Sequence, residues 1–230
     1  METLKILSET FDFFLPRLCP VCSKKLELNE DTVCKDCLSK IKFVEDERLE
    51  YEFKKKFKDK KIISGFKAAC IFEKDRELQN IIHVMKYQNR FKTGTFLGKL
   101  IGKRLIKYII NWNIDLISPV PLHSLKKAER GYNQSLYISK GLSKELSIPF
   151  SNKTIKRKKF TKSQTRLNIL EREKNVKGAF STGNSKRIRE KNILLIDDVI
   201  TTGATINECG SVLLKNGAKT VYAASVAIAD

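Results

Sequence analysis

The segment running from Ile193 through Asp197 and Asp198 to Thr205 constrains the fold more than any other stretch of the chain. Ile193-Leu-Leu-Ile196 reads as a buried strand, and two acids follow at its carboxyl end, where open α/β sheets bind their ligands. Thr201, Thr202, Gly203, Ala204 and Thr205 come next, small or hydroxylated, and they run into a helix expected over Ala204 to Lys215. Backbone N–H groups in such a turn can face a phosphate without steric obstruction, aided by the helix N-terminus. Two carboxylates beside a phosphate site make electrostatic sense only if they hold hydroxyls or a cation. A ribose 5-phosphate satisfies both halves, with its phosphate in the loop and its 2′- and 3′-hydroxyls on Asp197 and Asp198. Any one of these elements alone would fit a strand ending in a capped turn; together they point to a ligand.

The rest of the chain alternates in the manner such a sheet requires. Strand patterns at Ile62 to Phe72, Asp115 to Val120, Ile193 to Ile196 and Thr220 to Ala229 are interleaved with helical ones. The helices are expected at Asp75 to Tyr87, Phe96 to Trp112, Tyr132 to Leu146 and Ala204 to Lys215. This order implies an α/β fold, a mainly parallel sheet flanked by helices. No apolar run of about 18 residues is present to span a membrane. The first residues also lack the pattern of a secretory signal, so the expected location is cytoplasmic.

Four of the six cysteines form two C-x-x-C pairs, Cys19 with Cys22 and Cys34 with Cys37. Each pair can place two thiolates on one ion, and zinc suits a closed four-sulfur site better than other metals. Disulfides are the wrong chemistry for a reducing cytosol, and a redox C-x-x-C would lack its usual surroundings. Four protein ligands leave no open coordination position, so such a zinc is structural. Just before the pairs, Leu4, Leu7, Phe11, Phe14 and Leu15 keep helical spacing up to Pro16. The reading is therefore an amphipathic helix and zinc module over 1–44, a linker with some helix over 45–61, and the main domain over 62–230. Cys70 and Cys209 read as core residues.

Charge is distributed very unevenly. The formal net charge is +19, yet residues 1–60 balance at 13 basic and 13 acidic side chains, while residues 86–191 hold 26 basic against 6 acidic. A field of this kind attracts polyanions, either nucleic acid or a small ligand with several phosphates. Phe91, Tyr108, Trp112, Tyr132, Tyr137 and Phe160 fall within the same stretch. Interleaved aromatic and basic residues are what single-stranded DNA binding uses, although most of these aromatics sit at core spacing.

The Asp-Asp-x-x-Thr-Thr-Gly-Ala-Thr segment resembles the PRPP-binding signature of type I phosphoribosyltransferases. Further landmarks narrow the resemblance to the ComF (ComFC-like) competence family: the four-cysteine module, Pro119-Val-Pro-Leu-His123, Glu129-Arg-Gly-Tyr-Asn-Gln134, Thr161-Lys-Ser-Gln-Thr-Arg-Leu167, and Arg172 to Phe180. The resemblance implies a type I phosphoribosyltransferase fold with a small N-terminal zinc-binding module. It also implies glycosyl transfer from PRPP with magnesium, the diphosphate leaving. Pro121, Leu122, His123 and Ser124, with Lys126 close by, correspond to its pyrophosphate loop, where His123 either donates to the ligand or caps the turn. Arg130 can fork onto phosphate oxygens, and Asn133 and Gln134 can bond hydroxyls or a base. Lys162, Gln164 and Arg166 fall in the loop that matches the mobile hood of the superfamily. Lys86 and Tyr87, with His83, match a Lys-Tyr landmark bordering the acceptor pocket. By the same resemblance the partners are PRPP, single-stranded DNA and DNA-uptake proteins, in natural transformation. The alternatives are a non-catalytic, PRPP-responsive single-stranded DNA-binding protein, or a metabolic enzyme acting on a small acceptor.

Overall fold

The run Ile193–Ile196 is apolar at every position because both of its faces are covered: Ile193 and Leu195 join one core, Leu194 and Ile196 the other. The computed structural model describes residues 16–74, 76–88, 90–159, 169–183 and 185–229. The expected helix over Leu4 to Leu15 and the hood residues Lys162, Gln164 and Arg166 lie outside these residues.

The described residues begin with a short helix α1 (Lys35–Ser39) and then α2 (Asp46–Phe53), which runs on into a π-helical turn at Lys54–Lys58. Strand β1 (Gly65–Ile71), helices α3 (Glu77–Tyr87) and α4 (Phe91–Asn111), and strand β2 (Leu116–Pro119) follow. Next come α5 (Ser124–Arg130), α6 (Gln134–Leu146), β3 (Ile155–Arg157), α7 (Ile169–Val176) and β4 (Phe180–Thr182). The chain closes with β5 (Asn192–Ile200), α8 (Ala204–Lys215) and β6 (Thr220–Ile228). The main sheet is parallel throughout, in the order β1-β6-β5-β2, and β3 pairs with β4 as a separate antiparallel ribbon.

One face of the sheet carries α3, α4 and α6 through Ile81, Met85, Leu97, Ile101, Leu105, Ile138 and Leu142. The cysteine module adds Leu26, Val33 and Ile41 to that same core. On α4 the buried residues Leu97, Ile101, Leu105 and Ile109 recur every fourth position, the stripe of an amphipathic helix. Helices α4 and α6 cross with backbones nearly touching. A Cβ built on Gly98 would lie 2.0 Å from the Ile138 carbonyl oxygen, and one on Gly141 would lie 2.0 Å from that of Thr95. The opposite face is covered by α2 and α8 through Leu49, Phe57, Ile206, Cys209 and Leu213. Residues 42–44 run antiparallel along β1, with Val44 N–H donating to the Ala69 carbonyl (3.1 Å) and Ile71 N–H to that of Lys42 (3.0 Å). The outer edge of β1 is thereby covered.

Two expectations change on the structure. The charged stretch 45–61, expected as a linker with some helix, is continuously helical from Asp46 to Lys58 and buries Leu49, Glu52, Lys56 and Phe57. Its charges hid the pattern, because Glu52 and Lys56 turn inward and pair with each other at 2.7 Å. The helix expected from Phe96 starts five residues earlier, at Phe91, whose ring meets Tyr137 at 5.3 Å between centroids. Helix α5 and the β3–β4 ribbon carry no strong periodicity of their own, being seven and three residues long.

Candidate functional site

In the cysteine module the four Sγ atoms of Cys19, Cys22, Cys34 and Cys37 lie within 4.8 Å of one another, with Cys22 and Cys34 at 3.6 Å. Four sulfurs placed about 2.3 Å from a central zinc would stand about 3.8 Å apart, so the cluster has the right dimensions for one ion. Burial pushes the Cys19 thiol up, but backbone N–H groups of Cys34, Cys22 and Val21 outweigh it and bring the thiol down to about 7. This favours the thiolate a metal needs at Cys19, whereas burial pushes the Cys34 and Cys37 thiols up, so that there a metal ion would have to displace the proton. The loop between the two pairs is tied by Glu30, whose carboxylate accepts from the N–H groups of Glu27 (2.8 Å) and Lys35 (2.6 Å). Arg17 donates to the Glu30 carbonyl at 2.9 Å. These thiolates can hold one metal ion, and their soft, closed donor set suits zinc.

A cleft of about 480 Å³ opens at the carboxyl ends of β2 and β5. Strand β5 does not stop at Ile196; it stays paired with β6 through Asp197 opposite Ser225 and on to Ile200. The two acids therefore sit on a rigid strand rather than on a loop. Asp197 Oδ1 accepts from the Ser135 hydroxyl (3.0 Å) and from the Asp198 N–H (2.9 Å). Asp198 meets the Lys86 ammonium at 2.6 Å and accepts from the Val199 N–H at 2.8 Å. Burial and the neighbouring Asp198 charge push the Asp197 carboxyl up to about 7. Burial would also raise Asp198, but the charge and hydrogen bond of Lys86 overcome it and hold that carboxyl below its ordinary value.

Facing this pair are cations drawn from separate elements: Lys86 from α3, Lys126 and Arg130 from α5, and Arg157 from β3. Burial, then the charges of Arg157 and Arg130, push the half-buried Lys126 ammonium down from its usual value. Burial does the same to the Arg157 guanidinium. Cations so gathered and partly stripped of water favour an anion between them. The other end of the cleft is lined by Phe72, Gln79, Ile82, His83 and Tyr87, a mainly apolar and aromatic wall with two polar groups.

After Ile200 the chain turns through Thr201 to Gly203 into α8. Gly203 stands at φ +75°, a left-handed conformation at which a Cβ would meet the Phe57 ring at 2.8 Å. Thr201 and Thr205 line the cleft. Thr202, Gly203 and Ala204 line a smaller adjoining hollow of about 90 Å³ that Thr201 and Thr205 also border. The turn therefore forms a small cup at the N-terminus of a twelve-residue helix.

Most residues singled out in the sequence converge here. Pro121, Leu122, Lys126, Arg130, Asn133, Gln134, Lys86 and Tyr87 line the same cleft as Asp197 and Asp198. His123 and Ser124 do not line it. His123 caps α5, its Nδ1 accepting from the Leu125 N–H at 3.3 Å, and Ser124 is the first residue of that helix. Asn133 caps α6 and donates to the Val120 carbonyl at 3.0 Å, while Arg130 donates to Gln134 Oε1 at 3.2 Å. Sequence reasoning missed Ser135, Arg157 and the whole Glu52–Phe57 segment. Ser135 directly follows a recognised motif and was within reach. Arg157 lies among Lys153, Lys156, Lys158 and Lys159, and nothing in the sequence separates it from these surface charges.

Residues 132–229 match the phosphoribosyl transferase domain family. The chain is 36% identical to Competence protein F of Haemophilus influenzae over 151 residues, covering 63% of this chain and 65% of that protein. It thus spans just under two thirds of that relative's length. It is 26% identical to Competence protein ComFC of Bacillus subtilis over 206 residues, 87% of this chain and 72% of the relative. Among solved structures it is similar to the glutamine PRPP amidotransferase from B. subtilis complexed with ADP and GMP. That match has 18% identity and a TM-score of 0.40, over 58% of this chain and 26% of the other. The chain thus carries a phosphoribosyl transferase domain with the type I phosphoribosyltransferase fold, its parallel sheet preceded by a four-cysteine cluster, and is similar to the competence proteins F and ComFC.

Proposed function

We propose that the cleft binds PRPP. The observation that carries this reading is the joining of an acidic pair on a rigid strand end to a small-residue cup at a helix N-terminus, beneath four convergent cations. The ribose hydroxyls would lie on Asp197 and Asp198, and the 5′-phosphate in the Thr201–Thr205 turn. Lys126, Arg130 and Arg157 would take the diphosphate by charge-assisted hydrogen bonds. His123, which caps α5 in the structure, would act on the loop rather than on the ligand. Magnesium, carried with the diphosphate, would screen its charge.

Glycosyl transfer would place positive charge on the anomeric carbon as diphosphate departs, and the cations of the cleft are set to stabilise that leaving group. The aromatic and amide wall formed by Phe72, Gln79, His83 and Tyr87 is where an acceptor would enter. By kinship with proteins named for competence, the reading extends to natural transformation and the handling of single-stranded DNA in the cytoplasm, alongside DNA-uptake proteins. The four-cysteine module would hold a structural zinc.

Calorimetric titration with PRPP and magnesium tests the core of this reading. Saturable binding at one site per chain is expected; no heat and no competition by ribose 5-phosphate would overturn it. Pyrophosphate release assayed with nucleobases and with single-stranded DNA then separates an enzyme from a PRPP-responsive binding protein.

A further inference from the structure

The stretch first read as a linker reaches the phosphate cup from behind. Phe57, 1% exposed, presses its ring against Gly203 so closely that no Cβ fits between them. Lys56 Cβ comes next, 3.3 Å from where such a Cβ would stand. The Lys56 carbonyl accepts from Asn207 Nδ2 at 3.0 Å, one turn into the helix that begins at the cup. Its ammonium is buried, paired with Glu52 at 2.7 Å, and donates to the Ala229 carbonyl at 3.4 Å. The Ala229 N–H in turn donates to the Ile200 carbonyl at 2.9 Å, at the point where the cup begins. Glu52 is fully buried and also meets Arg48 at 2.7 Å.

A buried Lys–Glu pair is poor value as a stabiliser, since desolvation consumes most of its attraction. Its use here is geometric. The π-helical turn, a rare local form often found at functional sites, carries both contacts at successive residues. We infer that Lys56 and Phe57 are positioning residues for phosphate recognition: Phe57 closes the back of the Thr201–Thr205 cup at Gly203, and Lys56 anchors both of its ends, through Asn207 and through Ala229. This inference rests on the reading of the cup as the 5′-phosphate site. It adds to that site a segment 151 residues away in sequence, counted from Lys56 to Asn207.

The test exploits the two ends of the cleft. Ribose 5-phosphate reports on the cup, whereas inorganic pyrophosphate reports on the Lys126–Arg130 end. If Phe57→Ala lets the cup leave its binding shape nine times in ten, affinity falls about tenfold, since apparent affinity scales with the competent fraction. Calorimetry should therefore show a roughly tenfold weaker ribose 5-phosphate isotherm with pyrophosphate binding unchanged. Asn207→Ala, which removes one hydrogen bond and leaves the buried ring in place, should shift the same isotherm in the same direction by a smaller factor. Equal ribose 5-phosphate affinity in the parent and both variants overturns the inference. So does an equal loss of both ligands in Asn207→Ala, which would mark a general structural role. A parent that binds neither ribose 5-phosphate nor PRPP would instead remove the phosphate reading on which the inference stands.

Discussion

Asp197→Asn should make the unliganded protein more stable at neutral and alkaline pH while destroying its site. Asp197 ionises in the unfolded chain near the ordinary carboxylate value of about 3.9. In the folded chain burial and Asp198 push it up to about 7. The folded state therefore holds a proton that the unfolded state has already lost, and stability falls as pH rises between those two values. Asp198, held low by Lys86 despite its burial, acts in the opposite sense and loses its contribution only as pH falls toward and below its ordinary value. Within the pair, the slope between pH 4 and pH 7 thus belongs to Asp197. A gap of roughly three units sets a ceiling of roughly 4 kcal/mol for what its ionisation costs by pH 8. Asparagine removes the charge and keeps an Oδ1 to accept from the Ser135 hydroxyl and the Asp198 N–H, the two hydrogen bonds that fix the side chain. Urea unfolding at pH 4.5, 6 and 8 should show the variant pulling ahead of the parent as pH rises. The gap should grow from under about 1 kcal/mol to no more than about 4 kcal/mol. The same variant should lose ribose 5-phosphate binding. Parallel stability curves for parent and variant across this range would refute the electrostatic account of the pair.

Two other outcomes bear on the scaffold. Elemental analysis should find one zinc per chain, and chelation or Cys34→Ser should cost several kcal/mol of stability, because the module's Leu26, Val33 and Ile41 share a core with α4; a metal-free parent whose melt ignores the chelator counts against this. Gly98→Ala should cost about 3 kcal/mol or more, or prevent folding, since its Cβ would stand 2.0 Å from the Ile138 carbonyl oxygen and force α4 and α6 apart; a thermal midpoint equal to the parent's would show that the two helices can separate freely.

What the sequence revealed and what it hid follow one physical division. The sheet was legible because Ile193 to Ile196 and Ala223 to Ile228 are buried on both faces, so composition alone marks them. Asp197, Asp198 and the cup could be read because a strand, an acidic pair and a small-residue turn are contiguous in the chain. The cysteine cluster could be read for the same reason. Contacts that join distant segments could not. Phe57 against Gly203 and Arg157 opposite Asp197 depend on how the chain returns through space, and each lies in a run of charges that looks solvated. Glu52 and Lys56 show the limit most clearly: taken singly they break a helical stripe, and only as a buried pair do they complete it.

The central excess of positive charge divides in the same way. Lys86, Lys126, Arg130 and Arg157 are brought from three elements into one cleft, and desolvation together with mutual repulsion pushes Lys126 below its usual value. Lys86 is the exception, since Asp198 already balances it. The cleft thus presents more positive than negative charge, and an anion bound there would relieve the repulsion between its cations. Lys103, Lys107, Lys144, Lys153, Lys156 and Lys158 instead stand exposed to solvent. Charges of that second kind act over a screening length of about 8 Å at physiological salt, so attraction to a nucleic acid through them must weaken steeply as salt rises. The half-buried cations of the cleft are screened less, and anion binding there should be less steeply affected. The +20 balance of residues 86–191 is therefore two features rather than one: a set of cations gathered in one cleft, which sequence adjacency only partly discloses, and a diffuse basic surface exposed to solvent.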